Sequence, residues 1–363
     1  MKIKINLNHT KYPIYIGKNI ISKSDKILRS NSINSNKYLF IVDYNVPYRL
    51  VKKILIKFKS KEIFIKRILF KEKNKSLKTV ENILKLLEDK NFTRNDSLIS
   101  VGGGICGDVC GFVSSIFKRG IKFINVPTTL LSQVDSSIGG KTGVNTIGGK
   151  NMVGTFYQPS IVISDLTFLD TLPKKEIICG YAEILKHSLI SDKKFFDYLK
   201  KNHQKICNKD SNHLKKSIFK SCLIKKKIVE SDEKESNLRK TLNFGHTFAH
   251  AFESTKGYSK NLNHGEAVLL GISAAINFSY DKKILNKKDF KRIYNHLNDL
   301  KYNNLNKFFK KKDINKIVSF MLKDKKNKNS FINLILIKSI SKPILNNVYN
   351  KSTIKKFIKK LIN

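Results

Sequence analysis

A chain of 363 residues favours two domains, and 40% hydrophobic with 27% charged residues is the composition of an ordinary soluble globular protein. Its 71 basic against 28 acidic side chains give a net charge of +43, which invites a nucleic-acid reading. The excess is mostly lysine, spread along the chain with abundant Asn and Ile that share A/T-rich codons, which argues against specific nucleic-acid binding and leaves salt-sensitive adhesion to polyanions as the expectation.

Residues 1–7 alternate with period two, as a half-buried strand does, and carry no signal-peptide pattern. Residues 38–43 form a hydrophobic strand ending in an acid, 47–59 have helical spacing, 62–70 read as a strand and 77–87 as a helix. A short buried strand at 98–101, a helix at 104–117 and a strand at 121–126 follow. This alternation predicts a Rossmann-like α/β domain with a parallel sheet covered by helices. Ligands bind such sheets at the carboxyl ends of the strands, where Asp43, residues 102–108, Thr128 and Thr129 would lie.

After a strand at 161–164 and the Thr171-Leu-Pro173 break, helical periodicity takes over at 174–190, 192–205, 211–231, 241–255, 264–280 and 286–298. A strand-like run at 331–337 and a basic amphipathic helix at 351–362 close the chain. The domain boundary is placed near Leu172, giving an α/β domain of residues 1–172 and a mostly α-helical domain of residues 173–363. No apolar run reaches the roughly 18 residues of a membrane span. The five cysteines (Cys106, Cys110, Cys179, Cys207, Cys222) make no C-x-x-C pair and are odd in number, as expected of thiols in a reducing cytoplasm.

Four segments could carry chemistry. The glycine segment 102–108 lacks the spacing of the dinucleotide fingerprint and of the P-loop, and is compatible with phosphate binding or with tight strand-to-helix packing. In the helix at 174–190, Glu183 and Lys186 are three residues apart on one face, among apolar Tyr181, Ala182, Ile184 and Leu185. Such a pair is ordinarily a surface ion pair, but these neighbours do not suit a solvated face. His246 and His250 are one helical turn apart, and His264 opens the next helix. Three of eight histidines thus fall within nineteen residues. Together with a nearby acid they suggest an open, catalytic divalent-metal site. Thr247 occupies the glutamate position of H-E-x-x-H, which argues against a zinc peptidase. The run 225–239 contains Glu235 and Arg239 at i,i+4, either a helix-surface pair or a substrate-facing one.

Taken together, GGGICGD (102–108), KRG (118–120), NVPTTLLSQVDSSIGGKTGVN (125–145), GKNMVGTFYQP (149–159), GYAEILKH (180–187), LRKTLNFGHTFAH (238–250) and NHGEAV (263–268) resemble the 3-dehydroquinate synthases of the sugar phosphate cyclase family. The match runs in order from about residue 38 to 340. Two departures are visible: Phe70-Lys71 replaces an acidic-glycine turn, and the His246–His264 interval is one residue longer than is common. The resemblance implies one active site between an NAD-binding domain and a helical, metal-binding domain. It also implies conversion of 3-deoxy-D-arabino-heptulosonate 7-phosphate to 3-dehydroquinate with loss of phosphate. On this pattern the ligands of a zinc or cobalt ion fall on Glu183, His246 and His264. NAD contacts fall on Asp43, Glu72, Lys75, Gly104, Ile105, Cys106, Gly107, Asp108, Thr128, Thr129, Lys141, Lys150, Phe168, Leu169, Asp170 and Thr171.

Contacts to the anionic sugar phosphate fall on Arg119, Asp135, Lys141, Lys150, Asn151, Lys186, Lys225, Arg239, Asn243, His250 and Lys326. Glu235, His250, Lys141, Lys186 and Asn243 match catalytic positions, the first two for proton transfer. In the implied chemistry NAD oxidises the C5 hydroxyl, acidifying the C6 proton; phosphate leaves, the hydride returns, and an intramolecular aldol step closes the ring. Homodimers are common in the family. A metal- and NAD-dependent polyol or sugar-phosphate dehydrogenase is the alternative enzyme, and a degenerate polyanion-binding protein the alternative from another class.

Overall fold

The computed structural model describes residues 1–58, 61–257, 262–323 and 331–362. They form two compact units, Met1–Gly180 with Lys205–Lys234, and Tyr181–Gln204 with Glu235–Asn363. The division is therefore not a single cut near Leu172, because the segment that contains helix Ser211–Ser231 returns to the first unit.

The first unit opens with β1 (Lys2–Asn6) and β2 (Lys11–Gly17), where the period-two pattern buries Ile3 and Ile5 and exposes the lysines. Then come α1 (Ser24–Arg29), β3 (Lys37–Asp43), α2 (Tyr48–Leu55), β4 (Glu62–Ile68), α3 (Leu77–Asp89), β5 (Ser97–Gly102), α4 (Gly104–Ile116) and β6 (Lys122–Pro127). A hairpin of β7 (Lys141–Thr146) and β8 (Gly149–Phe156) precedes β9 (Ile161–Asp165) and α5 (Lys174–Ser191). The last of its elements, after α6 (Lys193–Cys207), is α7 (Ser211–Ser231).

Seven strands form one sheet in the order β1-β2-β9-β6-β5-β3-β4, parallel throughout except for β1. Successive residues of β3 feed two different cores: Tyr38, Phe40 and Val42 join one, Leu39 and Ile41 the other. A strand buried on both faces reads as a continuous apolar run, which is why it was legible. From β3 the chain first adds β4 on one flank and then β5 on the other. The strand order therefore reverses at β3, and a ligand crevice is expected beside it at the carboxyl ends. Val42 pairs with Val101 and Gly102 with Pro127, so Asp43, Gly102 and Pro127 end level.

The second unit contains the later part of α5, most of α6, α8 (His246–Thr255), α9 (His264–Asp281), α10 (Lys287–Asp299) and α11 (Ile314–Leu322). The hairpin of β10 (Phe331–Ser339) and β11 (Lys342–Asn350) and the terminal α12 (Lys351–Ile362) complete it. Every residue of α9 from Gly265 to Ile276 is buried, the signature of a central helix. A β-carbon on Gly271 would stand 2.3 Å from the carbonyl oxygen of Gly245, so the start of α8 and the middle of α9 touch backbone to backbone.

One expected helix needs correction, and several elements were not anticipated. The helix expected at 241–255 begins only at His246, because Gly245 adopts φ 80° and separates it from a 3₁₀ turn at Leu238–Asn243. The β7–β8 hairpin was not anticipated: its Gly, Thr, Asn and Lys residues show no apolar alternation, and most of β8 is exposed. Its strands approach closely enough that a β-carbon on Gly154 would meet the Thr142 carbonyl at 2.1 Å. Nor were β11 and α11 anticipated. Among the described residues no helix is long and apolar enough to cross a membrane.

Candidate active site

The expected nucleotide residues stand on one edge of the first unit. Asp43 ends β3; Glu72 and Lys75 follow β4; Gly104, Ile105, Cys106, Gly107 and Asp108 form the first turns of α4 after β5. Thr128 and Thr129 follow β6, and Phe168, Leu169, Asp170 and Thr171 lie in the 3₁₀ helix Leu166–Thr171 after β9. All are at carboxyl ends of parallel strands. The glycines serve close approach: a β-carbon on Gly102 would stand 2.6 Å from Cys106 Cβ and 3.1 Å from Asp43 Cβ. The Thr128 amide donates to Gly102 O at 2.9 Å, tying two of these strand ends together. Burial pushes the Asp43 carboxyl up, against the hydrogen bonds it accepts from Asn45.

A polar clasp joins this edge to the β7–β8 hairpin. Lys75 Nζ donates to Asp108 Oδ2 and to Asn151 Oδ1, both at 2.5 Å. Burial raises the Asp108 carboxyl, opposed by the charge of Lys75. Asn145 Nδ2 donates to Glu72 Oε1 at 2.8 Å, and Lys150 Nζ lies 3.5 Å from the same oxygen. Lys141 is exposed at the start of β7. Lys225 on α7 donates to both the carbonyl and Oδ1 of Asp135 at 2.6 Å. Arg119 stands apart from these residues. It is exposed, with φ 64°, just before the amino end of β6, at the opposite edge of the sheet.

In the second unit, α5 presents Glu183 and Lys186, both almost fully buried, from a helix whose neighbouring Tyr181, Ala182, Ile184 and Leu185 are also buried. Glu183 Oε1 lies 3.4 Å from His246 Nε2 and 3.5 Å from His264 Nε2, while Oε2 contacts Lys186 Nζ. Neither carboxylate oxygen accepts a well-aligned hydrogen bond. Burial acting alone would raise this carboxyl; Lys186, His246 and His264 outweigh it and hold Glu183 well below the usual range. Burial and Lys186 lower His246, against the pull of Glu183. For His264, burial disfavours the charged form, but Glu183 and Glu253 prevail and push it up to about 10.

The donor set fits a divalent cation. Two imidazoles and one carboxylate are the ligands of open catalytic zinc sites, and bonds of about 2.1 Å at tetrahedral angles give ligand–ligand edges of about 3.4 Å. Lys186 gives Oε2 a cationic partner, and an ion between the imidazoles would give one to Oε1, which accepts no well-aligned hydrogen bond.

Around this cluster, Asn243 Nδ2 donates to Glu235 Oε1 at 2.5 Å and so holds a glutamate whose φ of 60° is uncommon for a residue with a side chain. Arg239 is buried in the 3₁₀ turn. His250 is exposed, its ring 5.4 Å from that of His246. Lys326 lies outside the described residues. Sequence reasoning missed Glu253, whose Oε2 is 3.2 Å from His264 Nδ1, and Glu266, which closes a capping box with Asn263 and accepts from Tyr302. The spacing of Glu253, seven residues after His246, was the available signal.

An α/β unit with a glycine-turn crevice and a helical unit with a two-histidine, one-glutamate cluster together have the fold of the sugar phosphate cyclases. The structure of 2-deoxy-scyllo-inosose synthase complexed with carbaglucose-6-phosphate, NAD+ and Co2+ has a TM-score of 0.89 at 24% identity, over 99% of this chain and 100% of that one. That of 2-epi-5-epi-valiolone synthase from Streptomyces hygroscopicus subsp. jinggangensis 5008, with NAD+ and Zn2+ bound, gives 0.85 at 21% identity over 98% of each chain.

Sequence narrows the class. The family models for the 3-dehydroquinate synthase N-terminal and C-terminal regions match residues 66–179 and 180–327. The 3-dehydroquinate synthase of Pelagibacter ubique (strain HTCC1062) is 56% identical over 361 residues, 99% of this chain and 98% of that protein. The chain belongs to the 3-dehydroquinate synthase family.

Proposed function

We propose that this chain converts 3-deoxy-D-arabino-heptulosonate 7-phosphate to 3-dehydroquinate and phosphate, as a carbon–oxygen lyase that depends on NAD and on one divalent cation, zinc or cobalt. In a chain of this family, the observation that carries the reading is the buried Glu183 carboxylate flanked by His246 Nε2 and His264 Nε2. When bound, NAD supplies reversible hydride transfer and the cation supplies Lewis acidity. Glu183, His246 and His264 would hold the cation.

Asp43, Glu72, Lys75, the first turns of α4, Thr128, Thr129 and the 168–171 turn would hold the dinucleotide. There the bare N–H groups of a helix start favour its phosphates. The substrate carries a phosphate and a carboxylate. Lys141, Lys150, Asn151, Lys186, Lys225 and Arg239 are suited to pair with these anions, Arg239 in bidentate fashion. Glu235 and His250 are assigned to proton transfer, with Asn243 orienting the Glu235 carboxylate through Oε1.

The test is to incubate the purified protein with the heptulosonate phosphate, NAD and zinc, and to follow phosphate and NADH together. Phosphate release with no net NADH supports the reading; net NADH without phosphate release means a dehydrogenase instead. We also infer a cytoplasmic homodimer. The buried thiols of Cys106, Cys110, Cys207 and Cys222 suit a reducing compartment, and a second copy could bring Arg119 to a site that its own unit does not offer it.

A further inference from the structure

Glu253 belongs to none of the ligand or substrate sets above, yet its placement is specific. On α8, His246, His250 and Glu253 follow one another at i, i+4 and i+7, on one helix face. Glu253 is only 7% exposed, and its Oε2 lies 3.2 Å from His264 Nδ1, while Nε2 of the same ring faces Glu183 Oε1 at 3.5 Å. A carboxylate has no proton to donate, so in this contact Nδ1–H is the donor, and in the neutral ring that a cation requires the lone pair is on Nε2.

The backbone of His264 is fixed by other means. The Asn263 side chain accepts from the Glu266 amide at 2.9 Å, Glu266 Oε2 accepts from the Asn263 amide at 2.8 Å, and Tyr302 donates to Glu266 Oε1 at 3.0 Å. What these bonds do not fix is the rotation of the imidazole, and Glu253 supplies that restraint. His246 has a parallel arrangement, with Nδ1 3.3 Å from the Phe244 carbonyl and Nε2 toward Glu183.

We propose that Glu253 is a positioning residue of the cation site: it accepts Nδ1–H of His264, fixing the tautomer and ring orientation that present Nε2 to the ion. This rests on the cation assignment made above. Partners of this kind are worth about 10–100-fold in metal affinity.

The experiment measures cobalt and zinc affinity by chelator competition on the full-length protein, with the visible spectrum of the cobalt form as a second readout. We expect E253A to bind about 10–100-fold more weakly with an altered cobalt spectrum. E253Q, which keeps an acceptor but loses the charge, should fall between E253A and the parent. Parent-like affinity and spectrum in E253A overturn the proposal, as does a lowered melting temperature of the metal-free variant with affinity and spectrum unchanged. Should E253A not fold, E253Q decides: a weakened affinity supports the proposal, and parent-like affinity overturns it. A parent protein that binds neither ion would instead refute the cation assignment itself.

Discussion

The two units build their candidate sites by different means. In the first, the crevice is made by backbone: strand ends held level, glycines that admit close contact, and a helix start after β5. In the second, the cluster is made by side chains from three helices, Glu183, His246 and His264, brought together by tertiary packing. Glycine-rich backbone sites announce themselves in one short stretch of sequence. Side-chain clusters are scattered along the chain and are recognised only when their members are read jointly.

The comparison can be broken most sharply at the proposed cation ligands. Glu183→Ala or His264→Ala should abolish stoichiometric metal, measured by elemental analysis, and lower turnover by about a thousandfold, the equivalent of several kcal/mol of lost charge stabilisation. The circular-dichroism spectrum should be retained; global unfolding of both variants would make the cluster structural. Next in size is the backbone site. Gly102→Ala forces a β-carbon against Cys106 and Asp43, an overpacking cost of about 1–3 kcal/mol, so if that cost falls on the nucleotide-bound form the KM for NAD should rise about 5- to 160-fold. Its metal content should stay at the parent level. A loss of metal with unchanged nucleotide affinity would erase the distinction between the units.

The smallest expected effect concerns pH. In the second unit, His296 is fully buried, bonded through Nε2 to the Tyr181 hydroxyl, and burial with His203 and Lys200 pushes it down to about 3 from 6.5. Its folded value lies below the unfolded one, so its contribution is present above pH 6.5 and is lost as pH falls toward 3. Between pH 7 and pH 5 the loss is about 2 kcal/mol. Urea midpoints at the two pH values should show it in the parent and not in His296→Gln. In the first unit Asp43 and Asp108 are raised, so their contributions have the opposite sign, present at low pH and lost as pH rises.

Much of this was legible in the sequence, for reasons that differ by element. Buried strands such as β3 and amphipathic helices such as α7 carry their periodicity in their own residues. The β7–β8 hairpin does not, since its pairing depends on Gly143 and Gly154 lying opposite one another. Three histidines within nineteen residues signalled a cluster, while the choice of Glu183, His246 and His264 came from the family resemblance. Glu253 was passed over because a lone acid near a helix end resembles a surface charge, and only the packing of α8 beside α9 shows what it faces. The boundary near Leu172 failed to capture α7, because apolar periodicity identifies a helix without saying which core it joins.

The contact between Gly245 and Gly271 has a consequence for how the protein handles its ion. His246 follows Gly245 directly, and α9, which begins at His264, meets that glycine backbone to backbone. The separation of the two backbones that carry these imidazoles is thus set by packing of main chain on main chain. On the proposed cation assignment, such a frame would stand before loading, and one divalent ion would leave and another enter without refolding. Metal identity then becomes a matter of supply and exchange rate, a property of the surroundings as much as of the chain.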